Sequence, residues 1–329
     1  MATMARAQWT SRVAFILAAT GAAVGLGNIW KFPYMAGANG GAAFVLVYLA
    51  CVLLVGIPML LSEVLIGRRG QKNIVCSLQK IAHETKSSQK WTYLAWLGLF
   101  SLILILSFYS VAASWALPYI FYAFNGDFSH LTTQEAQQLW VNMVSNPFSA
   151  IVWMTLFLGL TLYIVYRGVK GGIELASYIM VPALIGILLV LLFYAIQSGG
   201  FAQATQFLFS FKWQDLTMSV VIDGIGQAAF SLAVGAGVLV AYGAYLSRKT
   251  NLVSTVLMIA GLDVLIALLA GLVIFPFVFA NAASPEGGVG LIFQVLPLAF
   301  GEMQYGALLG GLFFIFIFFD AWTSSISMA

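Results

Sequence analysis

A glycine-rich stretch with one amide side chain and one proline lies inside the first long apolar segment of the chain. Over residues 21–33 it reads Gly-Ala-Ala-Val-Gly-Leu-Gly-Asn-Ile-Trp-Lys-Phe-Pro. Glycine costs about 1 kcal/mol relative to alanine in a helix interior, and proline about 3. Broken backbone survives in a bilayer only where protein, water or a ligand satisfies its polar groups. The stretch therefore predicts a binding site inside a membrane; the alternative is close helix packing through small residues.

The composition of the whole chain indicates a membrane protein. Of its 329 residues, 62% are hydrophobic and 8% are charged. Its apolar runs repeatedly exceed the roughly 20 residues that span a bilayer as a helix. We therefore predict an all-α multi-pass membrane protein in the lipid bilayer. The net charge of +3 does not indicate nucleic-acid binding, because basic residues in such a protein are placed by membrane topology.

The apolar pattern predicts eight spans. They cover about 13–35, 43–66, 91–124, 149–166, 175–196, 216–246 and 252–280, with a last span from about 305. All Lys and Arg residues except Lys31 and Lys212 fall in the N-terminal lead or in the loops after spans 2, 4 and 6. The positive-inside rule then predicts a cytoplasmic N-terminus in the plasma (cell inner) membrane.

Spans 1 and 6 are both interrupted by glycines near their middle, span 6 at Gly235-Ala236-Gly237. The two spans are five apart, so two five-span repeats would have opposite orientations in the membrane. Broken helices at corresponding positions of inverted repeats indicate a transporter site near the bilayer midplane. There, half-helix N-termini present amides to an anion, and unwound carbonyls bind cations.

Several motifs resemble those of the neurotransmitter:sodium symporter family. They are the 21–33 stretch with Asn39-Gly40-Gly41, Gly56 to Arg68 in span 2, Gly226 to Gly237 in span 6, and Thr323 to Ile326 in span 8. The resemblance implies the five-plus-five inverted-repeat transporter fold with broken helices 1 and 6. It implies one transporter domain over 1–329, with a first repeat at 1–198 and a partial second repeat at 199–329. The implied activity is sodium-coupled uptake of an amino acid by alternating access.

The resemblance also implies two sodium (Na+) sites made of oxygen ligands. The first would use the carbonyl of Ala23 and the side chains of Asn28, Ser231 and Asp263. Asp263 would supply fixed negative charge where some animal members depend on chloride; the alternative is that Asp263 is only paired within the bundle.

The second sodium site would use the carbonyls of Gly21 and Val24, the hydroxyls of Thr323 and Ser324, and the carbonyl of Asp320. The family often has alanine or glycine at the position of Asp320. An added carboxylate there could strengthen the site, bind a proton or face elsewhere, and these alternatives stay open.

Substrate recognition is implied at the same breaks. The amides of Leu26 and Gly27 and the hydroxyl of Tyr109 would hold a carboxylate, and the carbonyls of Ala23, Phe230 and Ser231 an ammonium group. Tyr109 taken alone is better explained as one more aromatic residue of its span. Gly25 stands where monoamine-transporting members carry aspartate, so the substrate must bring its own carboxylate. The side-chain subsite would be lined by Ile105, Phe230, Ala233, Ala236 and Met328, which predicts large hydrophobic or aromatic amino acids.

Other residues resemble the family's gates. Lys31 would lie above Tyr109 and Phe230 on the outer side, in place of the usual arginine. The cytoplasmic gate would include Arg6, Trp9 and Tyr245.

The chain stops inside its eighth span, whereas the family continues through further spans. We therefore expect the sequence to be truncated, and the alternative function is a non-transporting remnant or assembly partner of such a transporter. An enzyme is not expected, because the spans contain no metal-ligand cluster and no nucleophile–His pair.

Overall fold

The computed structural model describes residues 8–281, 284, 285, 288 and 290–329. This part of the chain is helical and contains no β-strand. Its helices are numbered here in chain order: α1 Arg12–Ala23, α2 Gly27–Ala38, α3 Ala42–Gly70, α4 Ile74–Glu84, α5 Gln89–Asn125, α6 Thr133–Ser145, α7 Pro147–Tyr166, α8 Val169–Gln197, α9 Phe201–Phe209, α10 Met218–Ser231, α11 Val238–Gly243, α12 Leu252–Ala280, α13 Leu291–Gly301 and α14 Gly306–Met328.

Six of the described helices are long and apolar enough to cross a membrane unaided: α3, α5, α7, α8, α12 and α14. Helices α1 and α2 form a further span, in which they meet at an angle of 52°. Helices α10 and α11 are 14 and 6 residues long and flank an interruption at 232–237. Each predicted span is thus helical, and the two interruptions lie at the glycines that predicted them.

Four helices lie between the predicted spans and were not predicted by the apolar pattern, namely α4, α6, α9 and α13. Helix α6 begins with a capping box, in which Thr132 accepts from the Glu135 amide and Glu135 accepts from the Thr132 amide. Asn73 caps α4 by accepting from the Cys76 amide at 2.8 Å. Such caps satisfy amides that would otherwise lack partners at a helix start. Helix α3 also continues to Gly70, four residues beyond the predicted end.

Helix α1 lies at the centre of the bundle. It packs against α8, α12 and α14, and its residues from Ala18 to Ala23 are all buried. Helix α14 is likewise mostly buried, whereas α7 is mostly exposed and presents large apolar side chains such as Phe148 and Leu162. Apolar exposure on peripheral helices is expected of a protein whose outer surface faces lipid. The broken span therefore lies where lipid cannot reach it.

Helices α3 and α11 approach each other at backbone distance. A Cβ atom on Gly67 of α3 would lie 2.0 Å from the Val240 carbonyl oxygen of α11. A Cβ on Gly243 of α11 would lie 2.6 Å from the Val64 carbonyl oxygen of α3. Only glycine at both positions allows this approach, as in other membrane helix pairs that meet through small residues.

Candidate substrate and cation site

The break in span 1 exposes backbone groups at the centre of the protein. Helix α1 ends at Ala23, and Val24 has extended backbone with φ −66° and ψ 119°. The chain becomes helical again at Gly27. Within the break, the Leu26 amide donates to the hydroxyl of Tyr109 at 3.2 Å, and the Gly25 amide faces Asn28 Oδ1 at 3.4 Å. Side chains thus replace the helical partners that these amides have lost.

The break in span 6 depends on residues with positive φ. Gly235 and Gly237 have φ of +97° and +85°, values that glycine adopts without strain. Ala233 has φ +51°, which is uncommon for a residue with a side chain. The Gly235 amide donates to Glu63 Oε1 at 2.6 Å, so a carboxylate of α3 satisfies the unwound backbone.

Three side chains from different spans converge on Asp263 of α12, and all four residues are fully buried. Asn28 Nδ2 donates to Asp263 Oδ1 at 2.8 Å. The hydroxyls of Ser231 and Tyr48 donate to Asp263 Oδ2 at 2.5 and 3.3 Å. The predicted residues Asn28, Ser231 and Asp263 therefore form one polar cluster, which joins the two broken spans to α12.

A second group of polar atoms lies where α14 meets the end of α1. Ser324 Oγ donates to the Val24 carbonyl at 2.8 Å and lies 3.4 Å from the Gly21 carbonyl. A Cβ on Gly21 would lie 3.2 Å from Thr323 Cβ, so the Gly21 backbone is in close contact with α14. Thr323 Oγ1 donates to the Asp320 carbonyl at 2.9 Å. All the residues predicted for the second sodium site are thus neighbours.

A cavity of about 100 Å³ lies between the two breaks. Most residues predicted for the substrate line it: Ala23, Gly25, Leu26, Gly27, Ile105, Tyr109, Phe230, Ala233, Ala236 and Met328. Ser231 does not line it and faces the Asp263 cluster instead. A Cβ on Gly25 would lie 2.3 Å from Ser324 Oγ and 3.0 Å from the Tyr109 hydroxyl. At position 25 only glycine therefore fits beside Ser324 and Tyr109 without displacing them.

The predicted gate residues Trp9 and Lys31 lie on either side of the break in span 1, before α1 and in α2. The ammonium of Lys31 lies 4.4 Å from the ring centre of Phe230, a cation–π distance. On the other side, the Trp9 indole donates to the Tyr242 carbonyl at 3.0 Å, and the Trp9 amide donates to the Tyr245 carbonyl at 3.2 Å. Arg6, also predicted for this gate, lies outside the described residues.

Two buried polar residues of the site were not predicted as site residues. Tyr48 donates to Asp263 from α3, and Gln227 Nε2 donates to the Gly27 carbonyl at 2.7 Å. Gln227 lies within the quoted span 6 motif, and a buried amide in an apolar span is itself a signal of function. Tyr48 has no comparable signal, because tyrosine is common in apolar spans.

Comparison with known proteins decides the family. The model described as the sodium:neurotransmitter symporter family matches residues 6–145 and 134–329. The chain belongs to this family. Symporter relatives include an uncharacterized sodium-dependent transporter, YhdH, of Bacillus subtilis, which is 37% identical over 98% of this chain and 70% of its own length. An uncharacterized sodium-dependent transporter of Haemophilus influenzae is 31% identical over 98% of this chain and 72% of its own.

The crystal structure of MhsT in complex with L-phenylalanine has the same fold as this chain. The two superpose with a TM-score of 0.90 at 42% identity, covering 98% of this chain and 73% of MhsT. The predicted family and fold class are therefore confirmed. The protein is a sodium-dependent transporter of the symporter family and a membrane protein, and its named relatives are transporters rather than enzymes.

Proposed function

We propose that this protein is a sodium-coupled symporter of amino acids, with large hydrophobic or aromatic ones preferred, and that it works by alternating access. The observation that carries the proposal is the cavity between the two breaks, which has the Leu26 amide and the Tyr109 hydroxyl in its wall. Beside this cavity lies the buried Asn28–Ser231–Asp263 cluster. An anion-binding group next to a cation-binding group suits an amino acid that is taken up together with sodium.

The substrate carboxylate would bind to the Leu26 and Gly27 amides and the Tyr109 hydroxyl. Its ammonium group would bind to the carbonyls of Ala23, Phe230 and Ser231. Gly25 supports an amino acid over an amine, because position 25 offers no carboxylate and has no room for a side chain. The substrate's own carboxylate would then face both the Leu26 and Gly27 amides and the nearby cation.

The first sodium ion would bind to the carbonyl of Ala23 and the side chains of Asn28, Ser231 and Asp263. Carboxylate, amide and hydroxyl oxygens are ligands that suit a hard cation. Asn28 now turns its amide nitrogen toward Asp263; a half-turn of this amide would direct Oδ1 to the ion instead. Because Asp263 supplies the negative charge, chloride would not be required.

The second sodium ion would bind between α1 and α14. Its ligands would be the carbonyls of Gly21, Val24 and Asp320 and the hydroxyls of Thr323 and Ser324. The short contacts between Ser324 and the Val24 and Gly21 carbonyls support this arrangement. The ion would stabilise the broken end of α1 against α14.

The apolar end of the cavity supports a large side chain. Ile105, Phe230, Ala233, Ala236 and Met328 contribute to its lining, and the two alanines leave space that an apolar ligand can fill. Burial of apolar ligand surface yields about 25 cal/mol per Å². The relative MhsT was crystallised with L-phenylalanine, which also favours an aromatic amino acid.

Lys31 above Phe230 would act in the outer gate, and Trp9, Tyr245 and Arg6 in the cytoplasmic gate. Because Arg6 and Trp9 precede the first span, this assignment requires a cytoplasmic N-terminus in the plasma (cell inner) membrane. The transporter domain would comprise a first inverted repeat at 1–198 and a partial second repeat at 199–329.

Equilibrium binding tests the proposal. Purified protein should bind a labelled hydrophobic or aromatic amino acid in sodium chloride and not in choline chloride of equal ionic strength. Competition with tryptophan, tyrosine, leucine, alanine and glycine then ranks the substrates. If alanine or glycine competes best, the large-pocket assignment is wrong. If folded protein binds no amino acid in sodium, the assembly-partner alternative is favoured.

A further inference from the structure

Asp320 of α14 is a buried carboxylate without a hydrogen-bond partner in the described part of the chain. The residue is 0% exposed, and neither carboxylate oxygen has a hydrogen-bond partner among the described residues. Asp263, equally buried, receives hydrogen bonds from Asn28, Ser231 and Tyr48. The ion pairs of the described residues, Arg69–Glu84 and Lys80–Glu84, lie far from it in sequence and do not involve it.

Asp320 lies on the same face of α14 as the hydroxyls proposed to bind the second sodium ion. Residues three and four apart share one face of a helix, so Asp320 lies one turn from Thr323 and Ser324 on the same side. That side meets the Gly21 and Val24 carbonyls. The Asp320 carboxylate also lies within electrostatic range of Asp263 and Tyr109. It is therefore located in the region of both proposed sodium sites and the substrate carboxylate.

A buried ion without a partner is strongly unfavourable unless an opposite charge compensates it. The groups beside this face of α14 are carbonyl and hydroxyl oxygens, which attract a cation and offer no positive charge of their own. Oxygen-rich surroundings of this kind suit a hard monovalent or divalent cation. Cation binding at this point would therefore relieve the cost of burying Asp320.

We propose that the side chain of Asp320, and not only its carbonyl, supplies a fixed negative charge to the sodium ion bound between α1 and α14, and thereby determines the affinity of that site. This inference rests on the proposed function. With Asp320 ionised, the charges of the occupied substrate and sodium sites would sum to zero. Two sodium ions and a substrate ammonium bring three positive charges. The substrate carboxylate, Asp263 and Asp320 bring three negative ones.

The test compares Asp320→Asn and Asp320→Ala with the unmutated protein, purified in detergent without amino acid. Thermal unfolding is followed over a sodium chloride series, with choline chloride holding the ionic strength constant. Both variants should unfold at a higher temperature than the unmutated protein in zero sodium, because an uncompensated buried charge has been removed. We call the sodium concentration that gives half of the maximal stabilisation the half-point. The half-point of both variants should be at least about ten times that of the unmutated protein.

Two further variants control the comparison. Asp127→Asn removes an exposed carboxylate of a loop and should leave the sodium dependence unchanged. Asp320→Glu keeps the charge and should retain more of the sodium response than Asp320→Asn. A variant that only disturbs packing would lower the unfolding temperature at every sodium concentration without moving the half-point.

Equal half-points for the unmutated protein and both Asp320 variants would overturn the assignment of Asp320 and leave the proposed function intact. Stabilisation of the unmutated protein by low pH without sodium, absent in both Asp320 variants and unaccompanied by any difference in their sodium response, would also overturn it, because Asp320 would then bind a proton. An unmutated protein whose stability and amino-acid binding do not respond to sodium would overturn the proposed function, and the Asp320 assignment with it.

Discussion

The amide nitrogen of Asn28 donates to the carboxylate of Asp263 at 2.8 Å, although the two residues are 235 positions apart. Asn28 lies at the start of α2, directly after the break in span 1, and Asp263 lies near the middle of the unbroken helix α12. The bond holds the end of the break against a continuous helix. If the proposed first sodium site is correct, the ion binds to this pair.

Asn28→Ala should abolish sodium-dependent amino-acid binding. The substitution removes the amide oxygen assigned to the ion, and the substrate carboxylate is assigned to the same ion. The measurement is equilibrium binding of a labelled amino acid across a sodium series. Asn142→Ala on the loop helix α6 is the matched control, because Asn142 is exposed and its side chain bonds the nearby Gln138 of the same helix. Unchanged sodium dependence in folded Asn28→Ala protein would remove Asn28 from the site.

Asp263→Asn should raise the sodium concentration needed for half-maximal binding by about tenfold or more, since charged hydrogen-bonding and ion contacts are the strong ones. The unmutated protein should bind equally well in sodium chloride and sodium gluconate, because Asp263 supplies the fixed charge. The variant is then tested in both salts for an acquired chloride response. A chloride requirement in the unmutated protein would contradict the role assigned to Asp263.

Gly25→Ala should eliminate substrate binding while the protein still folds in detergent. The added Cβ would lie 2.3 Å from Ser324 Oγ and 3.0 Å from the Tyr109 hydroxyl, so one of these groups must move. Gly261→Ala on α12 is the control, because no atom lies within 4 Å of a Cβ there. That control should bind normally, with a helix stabilised by up to about 1 kcal/mol. Normal binding by Gly25→Ala would place the carboxylate subsite elsewhere.

Ala236→Phe should reverse the order of amino-acid competition. Ala236 lines the apolar end of the cavity, and a phenyl ring there would occupy the space assigned to a large substrate side chain. Alanine and glycine should then compete better than tryptophan or leucine. Ala202→Phe, on an exposed face of α9, controls for the added ring. An unchanged order in Ala236→Phe protein would show that this residue does not limit substrate size.

The breaks in spans 1 and 6 were predictable because their cause is local. Glycine weakens a helix wherever it occurs, and the glycines of 21–27 and 235–237 lie at the observed interruptions. The capping box of Thr132 and Glu135 is also a local signal, and it could have predicted α6 within its loop. Helix α6 was not predicted because its residues are polar and the spans were predicted from apolar runs.

Contacts between distant spans were less predictable. Tyr48 reaches Asp263 across 215 positions, and Gln227 reaches the Gly27 carbonyl across 200. Nothing next to either residue in the sequence indicates its partner, which depends on how the helices pack. The positive φ of Ala233 is a similar case, because alanine does not favour this conformation and the surrounding fold imposes it.

The glycine contact between α3 and α11 has a mechanical consequence. Helix α11 has only 6 residues, too few to be stable by itself, and its backbone rests directly on that of α3 at Gly67 and Gly243. Interlocked backbones at this distance cannot slide past each other without a collision. If the two halves of span 6 move relative to each other, we therefore expect α11 to move together with α3 and the backbone to bend at 232–237.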